Sequence, residues 1–164
     1  LILRLRSADI TNMEWKQPEG LKRRWVIGDD HIEMAFGGWR FAGARGRIGD
    51  SKYELHASGY VKRKLALVED GKTVATMEPN FSGTSAKVKL GGEEFTWKVT
   101  NIMATRWSLV DREKNVLFTV RRKGALRIQG LLEVKDEATA HLDQLVLLCW
   151  FAQVLHEETP VNRY

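Results

Sequence analysis

The sequence predicts a mainly β protein: a closed antiparallel barrel wrapped around a buried C-terminal helix. Two patterns carry that prediction. Short segments that alternate apolar and polar side chains, separated by Gly- and Asp-containing turns, fill the chain from Ile2 to Val134. One run then breaks the pattern. Leu142-Asp-Gln-Leu-Val-Leu-Leu-Cys-Trp-Phe-Ala-Gln-Val-Leu155 is apolar on nearly every side, and a helix of that kind must be buried. It is too short for a bilayer, which needs about 20 apolar residues, and it carries Asp143, Gln144 and Gln153. A helix with no polar face, following only strands, belongs inside them.

The candidate strands run in order Ile2 to Arg6, Lys22 to Ile27, His31 to Phe36, Tyr53 to Ala57, Tyr60 to Glu69 and Lys72 to Glu78. They continue as Ala86 to Leu90, Glu93 to Val99, Arg106 to Val110, Asn115 to Arg122 and Ala125 to Val134. Gly28-Asp29-Asp30, Glu69-Asp70-Gly71 and Lys123-Gly124 supply residues that tolerate positive φ, as tight hairpins require. Alternation gives each strand one inner face. Phe95, Trp97 and Val99 alternate with Glu94, Thr96 and Lys98, and Val116, Phe118 and Val120 alternate with Leu117, Thr119 and Arg121. The segments Lys64 to Met77 and Arg106 to Val120 echo one another as strand, acidic turn, strand. The closing helix is placed at about 138–157, with Asp136 or Thr139 as its cap.

Bulk properties fit one domain over residues 1–164, large enough to build a core without metal or disulfide. The lone Cys149 lies in the apolar helix and reads as a small hydrophobe; it excludes an internal disulfide. The start Leu1-Ile-Leu-Arg-Leu-Arg alternates and so does not read as a signal peptide. The chain begins without Met, so targeting stays open; the expected location is the cytoplasm, with peripheral membrane contact as an option. It reads as a monomer. The chain has 26 Lys and Arg against 21 Asp and Glu. Of these, 25 bases and 16 acids precede Asp136, so the strand region carries +9. That balance favours anionic partners.

The hairpin Trp107-x-Leu109-Val110-Asp111, then Val116-Leu117-Phe118-x-Val120, is followed by a strand ending Leu132-Glu-Val134 and by the apolar helix. This order resembles the tubby-like C-terminal barrel superfamily, which includes tubby proteins, phospholipid scramblases and LURP-one-related proteins. The resemblance covers nearly the whole chain, is strongest from Lys64 to Glu158, and rests on architecture and spacing. It implies a closed antiparallel barrel of about twelve strands threaded by a C-terminal hydrophobic helix. Tubby proteins bind phosphoinositides through exterior Lys and Arg, but no individual position is carried over here. The acidic calcium-binding segment of scramblases has no counterpart.

Three basic clusters are candidate anion- or headgroup-binding residues: Lys22, Arg23 and Arg24; Lys62 and Lys64; Arg121 and Lys123. Alternation puts Lys62 with Lys64, and Arg121 with Lys123, on shared faces, and adjacent strands would merge them into one patch. Against this, Lys and Arg commonly flank strands only to keep them soluble. The segment 37–49 is a candidate anion-binding loop through Arg40, Arg45 and Arg47, with Trp39 and Phe41 available to stack on bases.

Enzymatic signals are weak. His31, His56, His141 and His156 are far apart and form no metal-binding pair, and no Gly-x-Ser-x-Gly elbow occurs. The expectation is a non-enzymatic module without cofactor or metal that recognises an anionic lipid headgroup. Three alternatives stand behind it: a barrel holding a fatty acid, a single-stranded nucleic-acid binder using the 37–49 loop, and a scaffold for protein contacts.

Overall fold

Period-2 patterning becomes a sheet whose two edges meet. The structure, a computed structural model, describes residues 13–18, 23–28, 31–37, 43–59, 63–124, 128–136 and 139–158. Its strands are β1 (Met13–Lys16), β2 (Arg24–Ile27), β3 (Ile32–Phe36), β4 (Ala44–Ile48), β5 (Ser51–Ser58) and β6 (Lys64–Glu69). They continue with β7 (Lys72–Pro79), β8 (Ser85–Leu90), β9 (Glu93–Val99), β10 (Arg106–Val110), β11 (Val116–Arg122) and β12 (Gly130–Val134). Each strand pairs antiparallel with its neighbours in sequence, and β1 joins β12 through Met13 opposite Leu132 and Trp15 opposite Gly130. Closure leaves no edge for another chain to extend. The expected closed antiparallel barrel of about twelve strands is thus the fold.

The helix α1 (Leu142–Glu158) fills the lumen. Leu145, Val146, Leu147, Leu148, Cys149, Trp150, Phe151 and Val154 are all fully buried, and they are drawn from every side of the helix. The barrel supplies matching inward side chains, among them Ile32, Met34, Leu55, Leu67, Val88, Leu109, Phe118 and Leu132. Aromatic rings lock helix to wall: Trp15 meets Trp150 edge-on at 6.4 Å, and Phe36 sits between Trp25 and Phe151 at 5.4 and 5.6 Å.

Two strands, β1 and β4, coincide with none of the candidate strands. β1 has four residues, of which only Trp15 is buried. β4 lies within the segment read as a Gly/Arg loop. Its inward positions are Ala44, Gly46 and Ile48, and a Cβ on Gly46 would come within 2.7 Å of Leu147 Cδ2. The glycine is there to let the helix approach, and it erases the apolar signal of the strand. The candidate strand at Ile2 to Arg6 lies outside the described residues.

The helix begins later than expected. Neither Asp136 nor Thr139 caps it. Thr139 Oγ1 donates to the Asp136 carbonyl at 2.8 Å, and His141, at φ 56°, turns the chain immediately before Leu142. Asp143 lies in the first turn, where its Oδ1 accepts the Gln144 N–H at 2.8 Å. The internal echo is structural: β6–β7 and β10–β11 both carry a register shift, at Leu67/Val68 and at Leu109/Val110, the same place in each hairpin.

Candidate functional site

An antiparallel barrel sends successive connections to opposite ends. The β1–β2, β3–β4, β5–β6, β7–β8, β9–β10 and β11–β12 connections all lie at one end, and the remaining turns at the other. The described charged residues in the first set are Arg23, Arg63 and Lys123, with no acid among them. The second set carries Asp50, Asp70, Asp111, Glu113 and Asp136 against Arg112, Lys114 and Lys135. Among the described residues of these connections, one end is basic and the other acidic. The helix runs between them, from Gln144 beside Tyr53 near the acidic end to Glu157 and Glu158 at the basic end.

Several expected binding residues are already paired. Arg23 grips Glu158 with two hydrogen bonds, at 3.0 and 2.7 Å, and lies 4.6 Å over the Phe36 ring. The Glu158 hydrogen bond raises the pKa of Arg23 further. Arg24 contacts Glu33 at 2.8 and 3.1 Å, and Arg47 reaches the same carboxylate at 3.0 Å. Hydrogen bonds from Arg24, then from Arg47, hold the Glu33 carboxyl at about 2. Lys64 makes a 3.4 Å ion pair with Glu78, with both side chains well exposed. Arg45 and Arg47 stand on β4, so they are strand residues; Arg45 is exposed opposite Glu54. Lys22, Lys62 and Arg40, with Trp39 and Phe41, lie outside the described residues.

The expected merger of the second and third clusters does not form on the barrel wall. β6, which begins at Lys64, and β11, which ends near Arg121, are five steps apart in the closed order. Register instead brings Arg121 to residues that no run of basic sequence marks. Arg106 on β10 stands directly opposite Arg121 on β11, and Lys98 on β9 stands opposite Ser108, two positions from Arg106. Lys123 follows the end of β11. None of Lys98, Arg106, Arg121 and Lys123 meets an acid within ion-pair distance among the described residues. Beside them Ser108 and Thr119, buried though they lie on the outer face, share a 2.8 Å hydroxyl hydrogen bond. Lys98 and Arg106 were not legible as site residues because each is a single base with no basic neighbour in sequence.

Arg122, adjacent to this group, turns inward. Its guanidinium donates to Glu157 at 2.7 Å, and Gln153 Nε2 donates to the other Glu157 oxygen at 3.0 Å. His156 stacks edge-on against Trp107 at 5.4 Å, and burial lowers its pKa. Burial also raises the Cys149 thiol well above its ordinary value, which suits a packing role. Among the described residues no three His, Cys, Asp or Glu side chains gather to hold a metal, and no helix is long and apolar enough to cross a membrane. Comparison with protein families, curated proteins and solved structures finds no match.

Proposed function

We propose that the barrel is a non-enzymatic module that binds anionic lipid headgroups through the cations at its basic end. The observation that carries this reading is the direct cross-strand pairing of Arg106 with Arg121, flanked by Lys98 and Lys123. Like charges directly opposite one another on a sheet oppose folding. Bound phosphate relieves that repulsion, and guanidinium groups suit its geometry. The architecture, a twelve-strand closed barrel around a C-terminal helix, is compatible with the tubby-like superfamily, and the phosphoinositide binding of tubby proteins supports the same choice of ligand. The fatty-acid reading loses ground because α1 occupies the lumen such a ligand needs.

Co-sedimentation with neutral, phosphatidylserine and phosphoinositide vesicles at about 0.15 M salt tests the proposal. Pelleting with the anionic vesicles is expected. Each of Lys98→Gln, Arg106→Gln and Arg121→Gln should weaken it by about 1 kcal/mol, roughly fivefold. Equal recovery of wild-type protein from neutral and anionic vesicles would remove the reading.

A further inference from the structure

Four large apolar side chains are exposed among the described residues, and three of them share the basic end. Phe81 is 92% exposed, Ile102 is 102% and Met103 is 78%. The fourth, Val116, is 39% exposed and belongs to the acidic end. Phe81 lies in the β7–β8 connection, and Ile102 and Met103 in the β9–β10 connection. These two connections are neighbours, joined where the Val99 N–H donates to the Thr84 carbonyl at 3.0 Å. Exposed apolar side chains scattered singly are ordinary, but three on adjoining tips of one rim form a feature.

The tips are held outward by their own hydrogen bonds. Asn101 Oδ1 accepts the backbone N–H groups of Thr105 and Arg106, both at 3.0 Å, and Asn101 Nδ2 donates to Thr105 Oγ1 at 2.7 Å. Trp107 Nε1 ties the base of the connection to the Ala104 carbonyl at 3.1 Å. In the other connection Ser82 bonds Thr84 at 2.7 Å, and Asn80 Oδ1 accepts the Ser85 N–H at 3.3 Å. Such loops present their side chains with little ordering left to do on binding. Lys98 and Arg106 sit on the strand ends that bracket the Ile102–Met103 connection, with Arg121 and Lys123 one strand further on. Among the described residues, three acids near this end are occupied: Glu157 by Arg122, Glu158 by Arg23 and Glu78 by Lys64.

An apolar tip flanked on one side by cations that meet no acid among the described residues matches the cross-section of an anionic bilayer, where phosphates lie just above the acyl boundary. We propose that the barrel docks end-on, with Phe81, Ile102 and Met103 entering the interfacial region of an anionic membrane while Lys98, Arg106, Arg121 and Lys123 meet its phosphates. The proposal rests on the headgroup reading above and adds a depth and an orientation to it. The C-terminal end of α1 then faces the membrane, and the acidic turns face away, as charge complementarity requires.

Environment-sensitive fluorophores report the orientation directly. Cys149 is fully buried, so a cysteine introduced as Ile102→Cys is selectively labelled, and Asp70→Cys at the far end serves as the control. On phosphoinositide vesicles the probe at 102 should shift to the blue and be quenched by brominated lipid, while the probe at 70 stays aqueous. In parallel, the triple variant Phe81→Ser, Ile102→Ser, Met103→Ser should melt as the wild type does. It should keep low-salt binding but lose roughly tenfold in partitioning once salt screens the cations. Binding with an aqueous probe at 102 and an unaffected triple variant would overturn end-on insertion yet leave the headgroup reading intact. Failure of the wild type to bind any vesicle would overturn both.

Discussion

The two ends of the barrel are built from the same hairpin grammar and reach different chemical results. At the acidic end, Asp70 and Gly71 turn β6 into β7, and Gly91 and Gly92 turn β8 into β9, all four at positive φ. These connections are as short as a hairpin permits. Two basic-end connections are longer than these, with five residues at 80–84 and six at 100–105, although the acidic-end connection at 111–115 also has five. The helix shows the same contrast. Its first turn has Asp143 to complement the dipole, whereas its last turn is tied to the wall by Arg23 and Arg122. The two-residue turns of the acidic end close the barrel, and the basic-end connections at 80–84 and 100–105 carry the exposed Phe81, Ile102 and Met103.

Between the ends the lumen is filled by the apolar helix, and breaking it has the largest expected effect. Leu148→Asp places an unpaired charge at a fully buried site, at a cost of several kcal/mol against a total stability of about 5–15 kcal/mol. Soluble, cooperatively melting protein should be lost; a variant that melts like the wild type would refute the filled lumen.

A paired comparison of the helix ends comes next. Glu157→Ala strands the Arg122 guanidinium in a largely buried position and should cost about 3 kcal/mol in denaturant unfolding. Asp143→Asn, in the half-buried first turn, should cost at most about 1 kcal/mol. Equal costs would mean that the basic end is no more tightly braced than the acidic one.

The smallest effect is an acid-side one. Glu33 has its carboxyl held at about 2, below the ordinary value of about 4.3. Its bridge to Arg24 and Arg47 therefore contributes fully above about pH 4.3 and is lost as pH falls toward 2. Thermal melts should show Glu33→Gln less stable than wild type at neutral pH, with the gap closing as pH approaches 2. A gap that is constant with pH would show that the bridge adds nothing.

How much of this was legible residue by residue follows from which forces act locally. β7 to β11 were legible because Val88, Phe95, Trp97, Leu109 and Phe118 point inward at period 2, and inward burial is what the pattern records. β4 was not, because Gly46 at its centre must stay small beneath Leu147. The helix was legible as buried, but its start was not: His141 at positive φ breaks a pattern that composition alone extends back to Asp136. Arg121 and Lys123 were visible as a basic run, whereas Lys98 and Arg106 join them only through strand register.

The sequence by itself therefore determined the fold class, the buried helix and the positive strand region, since hydrophobic period, turn chemistry and net charge are properties of neighbouring residues. The tertiary structure decided which cations are neutralised and which stand together. Arg23, Arg24 and Arg47 are matched to Glu158 and Glu33, while Arg106 and Arg121 are set face to face. It also decided that Phe81, Ile102 and Met103 share one rim. Coulomb pairing acts over a few ångströms in space, and only barrel closure fixes which distant residues come within that range.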